Sequence, residues 1–208
     1  TAAGTVPAAK VLIIGAGGHA RSCLEVLILS NKYEILGFID NEKKKLMDYK
    51  FLGSDRDIHK FKNVCDNILL CLGGIKDIKL KWLIFQRAKK LKFKFPKIIS
   101  PLSFISKSSN IGEGTIIMNQ CFINANVKIG KNSIINNKAL LEHDVMVGNN
   151  TTISPGAIIN GGVKIGNNVF IGSGSIIKEN VIIKSNSIIG MGTTVLKDVN
   201  GGVFYNKK

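Results

Sequence analysis

The triplet Glu142-His143-Asp144 is the candidate catalytic group of this 208-residue chain. An imidazole can take up a proton near neutral pH, and an adjacent carboxylate can orient the ring and raise its basicity. His143 is therefore a candidate general base, and Asp144 a candidate supporting acid. A solvated histidine at a turn is the alternative, which the residue types leave open.

A second candidate site is the glycine-rich turn Gly15-Ala-Gly-Gly-His-Ala20, which follows an apolar run. The turn matches the G-x-G-x-x-G/A pattern, in which glycines let the backbone approach a phosphate and the next helix N-terminus stabilises its charge. Asp40, about 20 residues further on, is a possible ligand for a ribose hydroxyl. A tight turn without a ligand is the alternative.

The segment around this turn, residues 10–98, alternates apolar runs with helix-like stretches. The pattern predicts strands over 10–15, 34–40 and 67–73, and helices over 20–30 and 75–91. Such alternation indicates a small Rossmann-like α/β domain with its ligand edge at the carboxyl ends of the strands. These ends carry the glycine-rich turn, Asp40-Asn41 and Gly73-Gly74. A segment of about 90 residues holds roughly half of a dinucleotide domain, which favours a single nucleotide as ligand.

The remainder, residues 99–208, carries a six-residue repeat. Every sixth residue from Ile99 to Val195 is Ile, Leu or Val, which makes 17 hexapeptides because (195 − 99)/6 + 1 = 17. A small or β-branched residue stands four places after each of them, as at Thr115 and Val127. A period of six is typical of a parallel β-helix.

A longer period of 18 residues lies within the repeat. It relates Gly112, Gly130, Gly148 and Gly166, and also Asn132, Asn150, Asn168 and Asn186. Because Gly and Asn tolerate positive φ, both series predict a corner that returns once per coil of three hexapeptides. The result is a triangular prism of about 5.7 coils, roughly 27 Å tall at the usual strand spacing.

Composition narrows the possible partners and location. The formal net charge is +15, but the lysines are scattered with little aromatic interleaving, so we expect a solvated surface and no nucleic-acid partner. Four cysteines without a CxxC pair predict reduced thiols and no metal site. No apolar run reaches the ~18 residues of a membrane span, and the N-terminus lacks the order of a signal peptide. We therefore expect a cytoplasmic protein.

Several motifs together resemble one family, the bacterial hexapeptide sugar acetyltransferases with an N-terminal nucleotide-sugar domain. It includes the amino-sugar N-acetyltransferases of bacillosamine and perosamine pathways and the sialic acid O-acetyltransferase group. The motifs are Ile13-Ile-Gly-Ala-Gly-Gly-His19, Phe38-Ile-Asp40, Leu72-Gly73, Glu142-His-Asp144, Ser154-Pro-Gly-Ala157 and Gly161-Gly-Val-Lys-Ile-Gly166. The resemblance covers residues 10–205 and implies a left-handed β-helix with acetyl-CoA as co-substrate.

The resemblance also implies roles for individual residues. His143 would be the general base, strengthened by Asp144. Acetyl-CoA would lie between neighbouring prisms of a homotrimer. The implied nucleotide-sugar ligands are Gly17, Gly18, His19, Asp40, Asn41 and Gly73, and the implied acetyl-CoA contacts are Gly161, Ser173 and Met191, with Thr152 in place of a histidine of some relatives. The tail Tyr205-Asn-Lys-Lys208 departs from the usual ending of the family.

The expected reaction is direct acetyl transfer to a nucleotide-linked 4-amino-4,6-dideoxy sugar. His143 would remove a proton from the attacking amine, and a backbone N–H would stabilise the oxyanion. A sialic-acid-type hydroxyl is the alternative acceptor. A nicotinamide-dependent enzyme and a β-helix without catalytic activity are the alternatives from other classes.

Overall fold

In a computed structural model, residues 9–205 are described, and they form an α/β unit followed by a parallel β-helix. The α/β unit contains strand β1 (Ala9–Ile14), helix α1 (Gly18–Ser30), strand β2 (Tyr33–Ile39), strand β3 (Asn67–Leu70) and helix α2 (Ile78–Lys90), with 3-10 helices at Asp55–Phe61 and Ile75–Asp77. The strands form a parallel sheet in the order β2-β1-β3. The predicted fold class, a Rossmann-like unit before a β-helix of hexapeptide repeats, is confirmed.

The β-helix consists of short strands stacked on three faces, each strand pairing with the one 18 residues later. Its 17 strands begin at Ile98 and end at Val195. The first face has Ile98–Ile99, Ile116–Ile117, Ile134–Ile135, Thr152–Ile153, Phe170–Ile171 and Ser187–Ile189, to which Gly202–Phe204 is added. The second has Phe104–Ile105, Phe122–Ile123, Leu140–Leu141, Ile158–Ile159, Ile176–Ile177 and Thr194–Val195. The third has Asn110–Ile111, Lys128–Ile129, Met146–Val147, Lys164–Ile165 and Ile182–Ile183.

Two columns of side chains fill the interior of the prism. The branched residues at the strand ends are buried from Ile111 to Val195, and only Ile99 and Ile105 in the first coil are partly exposed. The small or β-branched residues four places later are also buried, as at Thr115 and Val145. Both predicted columns therefore form one continuous apolar core.

From Gly114 to Gly192, every sixth residue has positive φ and lies at a corner. The asparagines at 132, 150, 168 and 186 have φ between 55° and 62°, as the sequence predicts. The glycine half of this prediction is wrong, because Gly112 and its repeats do not have positive φ. An added Cβ at Gly112 would lie 2.4 Å from the carbonyl carbon of Gly130, so glycine is needed here for close stacking of successive coils.

The three faces of the prism differ in what covers them. The outward residues Ile98, Ile116 and Ile134 of the first face are buried, and Ile98 and Ile116 pack in one core with Leu24 and Leu27 of α1. We call this the covered face. The second, the apolar face, presents an uncovered column with the outward side chains Phe104, Phe122, Leu140, Ile158 and Ile176. The third, the basic face, presents Asn110, Lys128, Met146, Lys164 and Ile182.

Polar contacts also join the α/β unit to the prism. The Asn150 side-chain amide donates a hydrogen bond of 2.9 Å to the carbonyl of Ile78 at the start of α2, and Lys89 pairs with Glu113 at 2.6 Å. These contacts lie along the corner between the basic face and the covered face. They fix both ends of α2 relative to the prism.

Two further observations concern location. No helix within residues 9–205 is long and apolar enough to cross a membrane. All four cysteines are buried and none forms a disulfide. The described part of the chain does not include residues 1–8, on which the signal-peptide prediction falls. It also does not include residues 206–208 of the unusual tail.

Candidate active site and nucleotide cleft

His143 lies at the corner between the apolar face and the basic face, with its side chain 62% exposed. Its Nδ1 is 2.9 Å from Asp144 Oδ2. Because an ionised carboxylate only accepts hydrogen bonds, Nδ1 carries the proton and Nε2 is left as the basic nitrogen. The predicted pairing of His143 with Asp144 is thus present.

Asp144 is itself held in place. It occupies the positive-φ position of its corner, at φ 61°, and its Oδ1 accepts a hydrogen bond of 3.2 Å from the Asn126 side-chain amide. The hydrogen bonds from His143 and then from Asn126 hold the pKa of the Asp144 carboxyl below its usual value. The carboxylate therefore stays ionised and oriented toward the imidazole at neutral pH.

The imidazole of His143 packs on Gly161, one coil later. An added Cβ at Gly161 would lie 2.7 Å from His143 Cε1 and 2.8 Å from Nε2. The absence of a side chain at Gly161 is therefore what gives the ring its position. Gly161 is a predicted acetyl-CoA contact, and in the structure it also provides the space in which the imidazole of the candidate base lies.

A cleft of about 440 Å³ opens at the carboxyl ends of β1, β2 and β3. All six residues predicted to bind the nucleotide sugar line it: Gly17, Gly18, His19, Asp40, Asn41 and Gly73. Parallel strands bring their carboxyl ends to one edge of a sheet, so residues far apart in sequence meet here. The cleft is therefore the candidate nucleotide site.

The glycine-rich turn presents bare backbone to this cleft. An added Cβ at Gly17 would meet no atom within 4 Å, and one at Gly18 only the end of the Arg21 side chain at 3.9 Å. Helix α1 starts at Gly18, so its free N–H groups and its positive dipole end point to the same space. A phosphate group can approach this backbone closely.

Asp40 and His19 form part of the wall of the cleft. Asp40 accepts backbone hydrogen bonds from Ala16 at 2.8 Å and from Glu42 at 2.9 Å, which ties the glycine-rich turn to the end of β2. The His19 ring packs against Gly73, where an added Cβ would lie 2.5 Å from its Cγ. His19 Nε2 is 3.3 Å from the buried thiol of Cys23. Both side chains are thus held by the fold before any ligand binds.

Behind this wall lies Lys81 of α2, which the sequence analysis did not single out. Its side chain is 2% exposed, and its Nζ has no hydrogen-bond partner among residues 9–205. Burial lowers the pKa of the Lys81 amine to about 7, and the nearby Cys23 and Asp77 oppose that shift. Position 81 follows the helical spacing of the inward residues Ile78, Phe85 and Ala88. This spacing was the one sequence signal that Lys81 faces inward.

The four predicted acetyl-CoA contacts lie at three places on the prism. Thr152 is an outward residue of the covered face and is 3% exposed. Gly161 lies beside His143. Ser173 and Met191 are exposed at the corner between the covered face and the apolar face, and Met191 is 82% exposed. Within one chain, Ser173 and Met191 thus lie at the opposite edge of the apolar face from His143.

No group of three or more side chains suited to hold a metal ion occurs within residues 9–205.

Comparisons with known proteins give matches in both parts of the chain. Residues 10–88 match the PglD N-terminal domain, and residues 108–143, 126–161 and 162–197 match the bacterial transferase hexapeptide (six repeats). UDP-N-acetylbacillosamine N-acetyltransferase of Bacillus subtilis (strain 168) is 27% identical over 111 residues, which cover 52% of this chain and 51% of that enzyme. The match thus spans about half the length of that curated relative.

Solved structures are similar over nearly the whole chain. PerB from Caulobacter crescentus, in complex with CoA and GDP-perosamine, has a TM-score of 0.87 and 28% identity, covering 91% of this chain and 90% of that one. The acetyltransferase domain of PglB from Neisseria gonorrhoeae FA1090, in complex with acetyl coenzyme A, has a TM-score of 0.86 and 26% identity, covering 92% and 93%.

Proposed function

We propose that the chain is an acetyl-CoA-dependent N-acetyltransferase acting on a nucleotide-linked amino sugar, because its first part matches the PglD N-terminal domain and its prism matches the bacterial transferase hexapeptide. The observation that carries the proposal is the His143–Asp144 pair, with a contact of 2.9 Å, in a chain that also has a glycine-lined nucleotide cleft. The pair supplies a base, and the cleft supplies a place for the nucleotide.

The mechanism follows from the orientation of the imidazole. Asp144 holds the Nδ1 proton of His143, so Nε2 can accept a proton from the acceptor amine as the amine attacks the thioester carbonyl. A bond forms between nitrogen and the acetyl carbon, the carbon–sulfur bond breaks, and the proton passes to the departing thiolate. A backbone N–H of the prism stabilises the oxyanion. The transfer needs no covalent enzyme intermediate.

The acceptor is proposed to be a nucleotide-linked 4-amino-4,6-dideoxy sugar. The support comes from the residues of the cleft and from the relatives, one of which was solved with GDP-perosamine. A panel of UDP-, dTDP- and GDP-linked 4-amino sugars, assayed for CoA release, tests the proposal. Release of thiol with one of them is expected. Turnover of only a hydroxyl acceptor of the sialic acid type, or of no acceptor, would contradict it.

A homotrimer is part of the proposed function. The apolar face has Phe104, Phe122, Ile158 and Ile176 at least one-third exposed, and the rings of Phe104 and Phe122 stack at 4.8 Å. An uncovered apolar column over the height of the prism is unusual for a monomer. The covered face is occupied by the α/β unit and the basic face carries lysines, so the apolar face is the one suited to pack around a threefold axis.

Packing on the apolar face would also complete the active site. Around a threefold axis, each apolar face contacts two neighbouring chains, one along each of its two edges. The first edge of one face therefore lies beside the second edge of the next face. One edge of the apolar face carries His143, and the other carries Ser173 and Met191. We infer that acetyl-CoA lies in the groove between two prisms, with the base from one chain and Ser173 and Met191 from the next. Thr152 lies away from this groove.

Two further parts of the proposal concern organisation and location. We propose that residues 10–98 bind the nucleotide sugar and that residues 99–208 carry acetyl transfer, because the cleft and His143 fall in these segments. A cytoplasmic location is proposed from the four free cysteines and from the nature of both substrates.

Gly18→Val tests the assignment of the cleft. The added side chain points into open space, so the fold should be retained while the acceptor is obstructed. The KM for the nucleotide sugar should rise at least about tenfold, with the acetyl-CoA affinity nearly unchanged. Steady-state kinetics with each substrate varied in turn measure both. Loss of acetyl-CoA binding instead would mean that the two substrates are assigned to the wrong sites.

Gly161→Ala tests the seat of the catalytic imidazole. The new Cβ cannot share space with His143 Cε1, so the ring must swing away from its pairing with Asp144. Gly161 does not have positive φ, so alanine fits the backbone. We expect kcat to fall roughly 10- to 100-fold with little change in either KM.

The control for Gly161→Ala is the same substitution in a His143→Ala chain. If Gly161 acts through the imidazole, Gly161→Ala should reduce kcat hardly further in the His143→Ala chain, because the effects of coupled residues on activity are not additive. An equal loss in both backgrounds would show that Gly161 matters for another reason.

A further inference from the structure

Lys81 is the one buried lysine or arginine within residues 9–205, and its amine has no hydrogen-bond partner there. It lies on α2, whose residues Leu80 and Ile84 line the cleft together with Asp77 just before the helix. Burying an unpaired ammonium group costs free energy unless some other group stabilises the charge. Cys23 and Asp77 are the anionic groups near this amine, but neither lies within hydrogen-bond distance of it. A bound anion would therefore add to the stabilisation of its charge.

The rim of the cleft offers little positive charge of its own. Four carboxylates line it, those of Asp40, Glu42, Asp55 and Asp77, whereas its one lysine, Lys44, is already paired with Glu42 at 2.8 Å. A pyrophosphate bound at the N-terminus of α1 would thus meet more negative than positive side chains. The helix dipole compensates only part of a doubly charged group.

Two titratable groups lie close enough to Lys81 to act on its charge. They are Cys23 from α1 and Asp77 before α2, with His19 and Cys71 next to Cys23. A hydrogen bond from Cys71 and the charge of His19 lower the pKa of the Cys23 thiol to about 6, against the effect of burial. Asp77 also accepts a hydrogen bond of 3.2 Å from the Gly74 backbone. Both Lys81 and Cys23 could therefore exchange a proton when an anion arrives, and a test must separate them.

We propose that the Lys81 ammonium group is a buried counter-charge for the phosphates of the nucleotide ligand, so that Lys81 binds a proton together with the ligand. This inference rests on the proposed nucleotide-sugar site and adds a residue that determines its specificity for anions. It acts through the low-dielectric interior, without direct contact. In the free protein above about pH 7 the amine is largely neutral, since burial lowers the pKa of Lys81 to about 7. The bound anion favours the charged form, so affinity should weaken as the pH rises above that value.

The experiment is calorimetric titration of the full chain with UDP-glucose, dTDP-glucose and GDP-mannose between about pH 6.5 and 8.5. These ligands are pyrophosphate diesters and keep a constant charge in this range. For the wild type, Kd should rise about tenfold between pH 7 and 8.5, with net proton uptake at pH 8 detected in two buffers of different ionisation enthalpy. Lys81→Met should bind roughly tenfold more weakly at pH 7 and lose both the pH dependence and the proton uptake.

Lys79→Met is the matched control, because Lys79 is exposed on the same helix. It should behave as the wild type. Lys81→Met should fold at least as well as the parent, since it removes a buried charge, and thermal unfolding checks this. Cys23→Ser should keep the decline of affinity above pH 7.

The outcomes separate this inference from the proposed function. Binding by the wild type with a Kd independent of pH would overturn the role of Lys81 and leave the nucleotide site intact. A pH dependence that survives in Lys81→Met and disappears in Cys23→Ser would overturn it in favour of the thiol. Failure of all three nucleotide sugars to bind the wild type would defeat the nucleotide site and the inference together.

Discussion

Replacing His143 with alanine should reduce kcat about 10²- to 10⁴-fold, the range that a general base usually contributes. The reason is that Nε2 of this imidazole is the basic nitrogen of the corner, with Nδ1 committed to Asp144 at 2.9 Å. The KM values should change little, because the ring acts mainly on the proton that moves in the transition state. The measurement is CoA release at saturating acetyl-CoA and amino sugar.

The substitution should leave the fold intact. The His143 side chain is 62% exposed and packs on a glycine, so its loss leaves no cavity in the core. His59→Ala is a suitable control, since His59 is exposed in the α/β unit and does not line the cleft. It should retain near-parental activity. A His143→Ala enzyme within a few-fold of the parent would remove His143 from the role of base.

The sequence predicts the β-helix because the period of six is a direct consequence of its geometry. Each hexapeptide supplies one strand, one inward branched residue and one corner, so Ile111 and its repeats are recognisable without any structure. The role of Gly112 was not predictable in the same way. Glycine is favoured both where φ is positive and where successive coils stack closely, so the residue type alone does not tell the two reasons apart. At Gly112 the structure does, because an added Cβ would lie 2.4 Å from the next coil.

The candidate site is only partly predictable for a related reason. The glycine-rich turn and the triplet at 142–144 are contiguous motifs, and the structure brings the six cleft residues together at one edge. Asn126, which holds Asp144, lies one coil earlier, and the 18-residue period was its only signal. Lys81 occupies an inward position of a helix in which the other members are apolar. From sequence alone a lysine there is expected to be solvated, since burial of an ammonium group depends on how α2 packs in the folded α/β unit.

The final prediction is that two inactive chains should restore activity when they are mixed. One chain carries His143→Ala, and the other carries Ser173→Trp to obstruct the proposed acetyl-CoA groove. In a trimer with shared sites, each mixed trimer has one interface that combines an intact His143 edge with an intact Ser173 edge. Random assembly of equal amounts gives mixed trimers about three-quarters of the time, so the mixture should reach about one-quarter of wild-type activity.

The size of the recovery identifies the architecture. Each single variant, dissociated and reassembled alone, should stay inactive, and a mixture of wild type with the double variant controls for losses during reassembly. If His143 used acetyl-CoA held by its own chain, no combination of the two variants would contain a complete site and the mixture would stay inactive. A fully active monomer of 22.6 kDa in sedimentation would contradict both the trimer and the shared site. Recovery near one-quarter would instead explain why His143 and Ser173 lie on opposite edges of the same apolar face.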